Sequence, residues 1–220
     1  MIEKHLDTIL FDFDGTLAVL NVDFNAMRSH IRSLMTAYGI SPDGLENHFV
    51  IEMIEAAKQG LMTTDRRRGE SFETEAYRIV RRMEMEGAQQ GTLFEGTCEM
   101  LDLLKKRGIK TAVVTRNCLE AVLHLFPEIR SYTGVVVTRE SAGKVKPHPD
   151  HLKQALDLLD AKARDAAMVG DHPMDIVAGK EAGTYTIGVL TGFAGYELLR
   201  EAGADIILES ASILMDHLHV

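Results

Sequence analysis

The chain has 220 residues, enough for one domain carrying an insertion or for two small domains. With 45 % hydrophobic residues it can bury a core, which excludes an extensively disordered chain. A formal net charge of −9 excludes a general nucleic-acid binder, which needs a basic face, but leaves room for a local basic pocket that takes a small anion.

The first element is the apolar run TILF (8–11), read as a buried strand. It ends in Asp12 and Asp14, inside the stretch TILFDFDGTLAVL (8–20). Asp14-Gly15 between apolar residues is a tight-turn signal, and on that reading the acids only shape a hairpin. Alternatively, residues at i and i+2 share a face, and both carboxylates point into one site. Carboxylates so placed repel and need a cation or a shared proton. Which reading holds depends on partners elsewhere in the chain.

Residues 20 to 90 show no clear strand. Phe24, Met27, Ile31, Leu34 and Met35 have helical spacing, as do Phe49, Met53, Ile54 and Ala57, and then Phe72, Ala76, Ile79, Val80 and Met83. YGISPDG (38–44), QGLMTT (59–64) and GAQQGT (87–92) break these helices. The stretch is read as a small all-helical insertion, with its methionines filling a core.

From about residue 97 strands and helices alternate. TCEMLDLLKKRG (97–108) is a helix stopped by Gly108, and DHLKQALDLLDA (150–161) a second one after Pro149. KTAVVT (110–115), GVVVT (134–138), AAMVG (166–170), TYTIGVL (184–190) and ADIIL (204–208) are strand candidates. Their nearly continuous apolar character points to a parallel sheet covered on both faces. The fold class is therefore α/β, a doubly wound, Rossmann-like parallel sheet. Cys98 and Cys118 have no metal-ligand spacing, and a reducing cytoplasm is the expected location. No signal peptide and no membrane span are expected.

Ligands of open parallel sheets bind beyond the carboxyl ends of the strands. Asp12 and Asp14 follow the first strand there; Thr115, Arg116 and Asn117 follow KTAVV; Asp171 and Asp175 follow AAMVG in GDHPMD. Lys144 and Lys146 lie in GKVKPHPD upstream of that last strand. Singly, each has a plain explanation as a cap, a turn or a solvated side chain. Together, three carboxylates at one sheet edge make a hard oxygen site suited to Mg²⁺. A Thr hydroxyl and a Lys ammonium then offer donors for phosphate oxygens.

The order of DFDGTL, VVTRN, KVKPHP and GDHPMD resembles the motif order of the haloacid dehalogenase superfamily, over about 1–18 and 92–220. The helical insertion resembles the cap of its phosphoglycolate phosphatase-like branch, giving a core of 1–18 plus 92–220 and a cap of 19–91. The DxD form is similar to the phosphatases rather than the dehalogenases. TRN replaces the SN or TN more usual in that branch, which singles out Arg116.

The resemblance implies a Mg²⁺-dependent phosphatase acting on a small phosphorylated metabolite, phosphoglycolate-like in character, and working as a monomer or homodimer. Asp12 is implied as nucleophile, forming an aspartyl phosphate. Asp14 is implied as the acid and base, with a raised pKa, while Asp12 stays ionised. Thr115 and Lys146 hold the phosphoryl oxygens; Gly15, Arg116 and Asn117 are assigned to substrate binding. Asp12, the Asp14 carbonyl and Asp171 hold the metal, and Asp175 orients a metal-bound water or Lys146. A phosphosugar mutase and a non-enzymatic phospho-acceptor signalling domain are the alternatives. A phosphonate-cleaving enzyme would need a Schiff-base lysine, and Lys58, the only lysine of the insertion, reads as an exposed helix-end residue. Arg28 and the run DRRRGE (65–70), with Arg66, Arg67 and Arg68, are either a solvated loop or readers of an acidic leaving group. His148, His151 and His172 lack metal spacing; His172 is expected near the site.

Overall fold

The run Thr8–Phe11 forms β1, the central strand of a six-stranded sheet, in a computed structural model that describes residues 2, 4–45 and 48–218. In chain order follow β2 (Ala18–Val19), α1 (Phe24–Ala37), α2 (Val50–Met62), α3 (Arg66–Ala88), β3 (Thr92–Leu93) and α4 (Thr97–Lys106). Then come β4 (Lys110–Val114), α5 (Leu119–Leu125), α6 (Ile129–Tyr132), β5 (Val135–Val137), α7 (Asp150–Leu158), β6 (Ala166–Gly170), α8 (Pro173–Ala182), β7 (Tyr185–Val189), α9 (Tyr196–Glu201) and β8 (Ile206–Leu208).

The large sheet has the order β5-β4-β1-β6-β7-β8, and every pairing in it is parallel. Its strands are apolar on both sides because both faces are covered. Leu10, Ala112, Val114 and Met168 pack with Leu152, Ala155 and Ala178 of α7 and α8. Ile9, Phe11, Val113 and Val169 alternate with them along the strands and are just as fully buried. The chain steps from β1 to β4 and β5 on one side and later crosses to β6, β7 and β8 on the other. The topological switch point therefore falls at β1, where such sheets bind ligands.

By contacts, the chain divides into Met1–Leu20 with Ala88–Val220, and Asn21–Gly87. The second unit is α1, α2 and α3 packed through Met27, Ile31 and Met35, Met53 and Ile54, and Phe72, Ala76 and Val80. Phe24 and Phe49, first in two of the helical patterns, are instead exposed. Asp23 caps α1 by accepting a hydrogen bond from Ala26 N at 2.8 Å.

Several boundaries differ from those the periodicity predicts. DRRRGE is not a loop: residues 66–70 open α3, and Arg66 pairs with Glu70 at 2.8 Å across one helical turn. Lys58 is not an exposed helix end either. It sits within α2, 2.8 Å from Glu73, and the hydrogen bond to that carboxylate raises its pKa, opposite to what a Schiff-base amine needs. The α7 helix stops at Leu158, with Asp160 in the left-handed region at φ 47°. The two flanks of the helical stretch, without a strand signal, form the antiparallel pair β2–β3, Ala18 opposite Leu93 and Val19 opposite Thr92. A Cβ at Gly91 would lie 2.5 Å from the Val19 carbonyl oxygen, so this glycine answers a close approach there. Among the described residues no helix is long and apolar enough to cross a membrane.

Candidate active site

Three neighbouring strands bring the site residues to one edge. Asp12 follows β1, and its N–H donates to Val169 O at 2.9 Å, one pairing beyond the end of the strand. Thr115 follows β4, with its N–H on Val137 O at 2.9 Å. Asp171 follows β6 directly.

After Asp12 the chain turns sharply. Phe13 O accepts from the N–H groups of Leu17 and Ala18, both at 3.0 Å, and Gly15 takes φ +88°, where a Cβ would be strained. Asp14 is half-buried, and its Oδ1 accepts from Leu20 N at 2.8 Å. Asp14 thus does shape a turn, yet β1 lies in a parallel sheet and the turn is not a hairpin on it. The turn reading thus holds for Asp14, while the carboxylates gathered beside Asp12 are those of Asp171 and Asp175.

Asp171 is clasped. Its Oδ2 accepts from Phe193 N at 2.6 Å, and its Oδ1 from Thr16 Oγ1 at 3.4 Å. A Cβ on Gly15 would come within 2.5 Å of its carboxylate, and one on Gly192 within 2.1 Å. Both glycines are needed for the chain to close on it. Asp175 sits in the first turn of α8, where its Oδ2 accepts from His172 N at 3.1 Å while the His172 ring accepts from Met174 N. A Cβ at Gly170 would lie 2.4 Å from Asp175, so that residue too must be glycine.

Lys146 is the centre of the cluster. Its Nζ lies 2.6 Å from Asp12 Oδ1 and 2.6 Å from Asp175 Oδ1. Burial opposes its charge, but the two carboxylates outweigh burial and raise its pKa. Thr115 Oγ1 donates to Asn117 Oδ1 at 2.8 Å and accepts from Asn117 N at 3.2 Å, which fixes the turn after β4. Arg116 is half-buried with its guanidinium on Met174 Sδ at 3.1 Å, and Arg139 donates to its carbonyl oxygen.

The carboxylates Asp12, Asp171 and Asp175 are all buried, with oxygens within 4.8 Å of one another. With all three ionised, the one lysine leaves this group with two negative charges in excess. Burial pushes Asp12 up to about 6 against the pull of Lys146, so it stays ionised above that pH. Asp171 is pushed up to about 8, first by burial and then by the charges of Asp12 and Asp175. An all-oxygen donor set with surplus negative charge fits a hard divalent cation. Asp175, whose two oxygens go to Lys146 and the α8 cap, is the member least available to one.

Of the remaining candidates, His172 caps α8 and stacks on Phe193 at 4.4 Å between ring centres. His148 lies on the exposed turn before α7, 3.2 Å from Lys144 Nζ, and accepts from Asp150 N. In the helical unit, Arg28 donates to the His48 carbonyl and Arg68 to the Tyr38 carbonyl. Sequence reasoning missed Thr16, Gly192, Phe193, Arg139 and the contact of His151 with Lys146. Gly192 and Phe193 were within reach, because they follow the strand at 185–189 as Asp171 follows β6.

The profile of haloacid dehalogenase-like hydrolases matches residues 9–189. The chain belongs to that family. It is an enzyme, a hydrolase of the haloacid dehalogenase type. Among its relatives is the pyrophosphatase PpaX of Bacillus cereus strain Q1, 33 % identical over 214 residues, covering 96 % of this chain and 95 % of that one. PpaX of Bacillus thuringiensis strain Al Hakam is likewise 33 % identical over the same shares. A hydrolase from Pseudomonas syringae superposes with a TM-score of 0.71 at 20 % identity, over 96 % of this chain and 97 % of that one. CbbY from Rhodobacter sphaeroides, crystallised with phosphate, superposes at 0.63 and 24 % identity over 95 % and 96 %. At these identities the two structures share the fold.

Proposed function

We propose that the protein is a Mg²⁺-dependent phosphatase that cleaves a small phosphate ester or anhydride through an aspartyl phosphate on Asp12. The observation that carries this reading is the ammonium of Lys146 held between Asp12 and Asp175 at the switch point of the sheet, beside Asp171. A carboxylate buried next to a fixed cation is ready to approach a phosphate dianion that would otherwise repel it.

Asp12 attacks phosphorus, and the bond to the leaving oxygen breaks as Asp14 gives that oxygen a proton. Water then attacks the phosphorus of the aspartyl phosphate, Asp14 takes the water's proton, and phosphate leaves with Asp12 restored. Lys146 and Thr115 hold the phosphoryl oxygens throughout, and Gly15 and Asn117 border them. Asp12, Asp171 and the Asp14 carbonyl would hold Mg²⁺, which neutralises charge between nucleophile and substrate when bound. Asp175 keeps Lys146 in place. The helical unit is the cap that selects the leaving group.

Two substrates stand first. Inorganic pyrophosphate is suggested by relatives at 33 % identity that carry the name pyrophosphatase. Phosphoglycolate shares with it a second anionic group for which Arg116, at the same strand end as Thr115, is a candidate reader. The enzyme is read as cytoplasmic, a monomer or homodimer, with no nucleic-acid or membrane partner. The test is a panel of pyrophosphate, phosphoglycolate, sugar phosphates and nucleotides assayed with Mg²⁺ and with chelator. Release of phosphate from at least one of them, lost with chelator, is expected. Equal turnover in chelator would overturn the metal assignment, and no turnover on the whole panel the substrate class.

A further inference from the structure

His151 is fully buried in the first turn of α7, five residues after Lys146. The backbone N–H of Lys146 donates to its Nδ1 at 3.2 Å. An acceptor at Nδ1 requires a neutral ring with its proton on Nε2. That Nε2 is buried and has no hydrogen-bond partner among the described residues. A buried donor left unmatched is costly, and an aliphatic side chain filling the same space would avoid the cost. Packing therefore does not explain an imidazole here; the bond made by Nδ1 does. Burial, with the positive charges of Lys146 and Arg116 close by, lowers the His151 pKa to about 3 and keeps the acceptor lone pair in place at neutral pH.

The ammonium of Lys146 must meet two carboxylates that are fixed independently, Asp12 by the pairing beyond β1 and Asp175 by the α8 cap. The lysine itself comes from an irregular segment between β5 and α7, where Pro147 and Pro149 offer no N–H to anchor the chain. We propose that His151 is a positioning residue for Lys146, its Nδ1 fixing the backbone from which the ammonium is aimed between Asp12 and Asp175. The inference rests on the reading of Lys146 as the group that holds the phosphoryl oxygens.

Three substitutions separate this role from packing. His151→Asn places an amide oxygen where Nδ1 stands, His151→Gln places its polar group where Nε2 stands, and His151→Leu removes the acceptor. All three, and Lys146→Met, would be assayed on inorganic pyrophosphate and on an aryl phosphate with Mg²⁺, beside their melting temperatures. The Leu and Gln variants should lose about tenfold or more in kcat, within the roughly hundredfold that an ångström-scale misplacement can cost, while Asn recovers most of it. Equal losses in Asn and Leu, or no loss in Leu and Gln, would overturn the inference. If the Leu variant does not fold, the contrast of Asn with Gln decides. Full activity in Lys146→Met overturns the underlying reading of the lysine, and the inference with it. Loss in Lys146→Met beside an unimpaired His151→Gln overturns the inference alone. In the wild type, nitrogen NMR should show a neutral His151 protonated on Nε2 across pH 5–8; a proton on Nδ1 would refute the proposed bond.

Discussion

The ammonium of Lys146 lies 2.6 Å from Asp12 Oδ1, with the lysine side chain 1 % and the aspartate 11 % exposed. So little water reaches this pair that removing the ammonium leaves two buried carboxylates, Asp12 and Asp175, without their counter-charge. Lys146→Met should therefore cost about 3–5 kcal/mol of stability, the usual penalty for removing one partner of a buried pair. It should also lower kcat by about 10²–10³, as loss of one preorganised donor does. Denaturant melts and steady-state rates check both. A stable, active variant would mean that the lysine only fills space.

The two aspartates of DFDG should fail in different ways. Asp12→Asn removes the proposed nucleophile and should abolish phosphoenzyme trapping together with turnover. Asp14→Asn keeps an oxygen to accept from Leu20 N, so its turn and melting temperature should survive while kcat falls by about 10²–10⁴, the range for losing an acid–base group. Asp14→Ala should lose the turn bond as well. Rapid quench with labelled substrate distinguishes the variants, and undiminished hydrolysis by Asp12→Asn would falsify its assignment.

The strands and the acids at their ends were readable because a parallel sheet buried on both faces writes continuous apolar runs, and because chemistry sits where those runs stop. Other features leave no such trace. β2 and β3 have two residues each, too few for any period to show. DRRRGE is polar all round, so its helix is legible only through the Arg66–Glu70 pair. The Asp175–Lys146 contact joins residues 29 apart, and the role of His151 is set by which ring nitrogen faces Lys146 N, a matter of packing that sequence spacing does not encode.

Metal-free protein should lose stability as pH rises. Asp171 has a folded pKa of about 8 against an ordinary 3.8, so between these values the folded state keeps a proton that the unfolded state has lost. The contribution is whole below pH 4 and is lost as pH climbs through about 8; at about 1.4 kcal/mol per pKa unit it amounts to several kcal/mol. Asp12, raised to about 6, adds in the same direction. Mg²⁺ favours the ionised carboxylates and should raise the melting temperature more at pH 8 than at pH 5. Melts with chelator and with Mg²⁺ at both pH values test this; an equal Mg²⁺ effect at the two would contradict the site.

Gly192→Ala should injure the proposed metal site without replacing a charged residue. Its Cβ would fall 2.1 Å from Asp171 Oδ2 and 2.7 Å from Gly15 Cα, and a backbone atom cannot swing aside. The carboxylate must then give up its bond from Phe193 N. A loss of about 1–3 kcal/mol in stability, as for other overpacked sites, should accompany a higher Mg²⁺ concentration for half activity. Titration of activity against Mg²⁺ measures it, and an unchanged requirement would show that Asp171 is not a metal ligand. Asp171→Ala should raise the same requirement further.

The arginines should separate by where they stand. Arg116 follows Thr115 at the end of β4, half-buried on Met174, with its carbonyl held by Arg139. Arg28, Arg66 and Arg68 are each bonded within the helical unit, to the His48 carbonyl, to Glu70 and to the Tyr38 carbonyl, and would have to leave those partners to bind a substrate. Arg67 borders an open surface groove with Glu70 and Glu75, among its own acids. Arg116→Ala should therefore lower kcat/KM on pyrophosphate and phosphoglycolate by about 1.5–3 kcal/mol, the value of a hydrogen bond to a charged group. It should leave an aryl phosphate, which has no second anion, nearly unchanged. Arg28→Ala and Arg67→Ala should show no such selectivity. Equal loss on all three substrates by Arg116→Ala would place the guanidinium on the transferred phosphoryl group itself. A selective loss in Arg28→Ala or Arg67→Ala instead would move the reading of the leaving group to the helical unit, and with it the control of specificity.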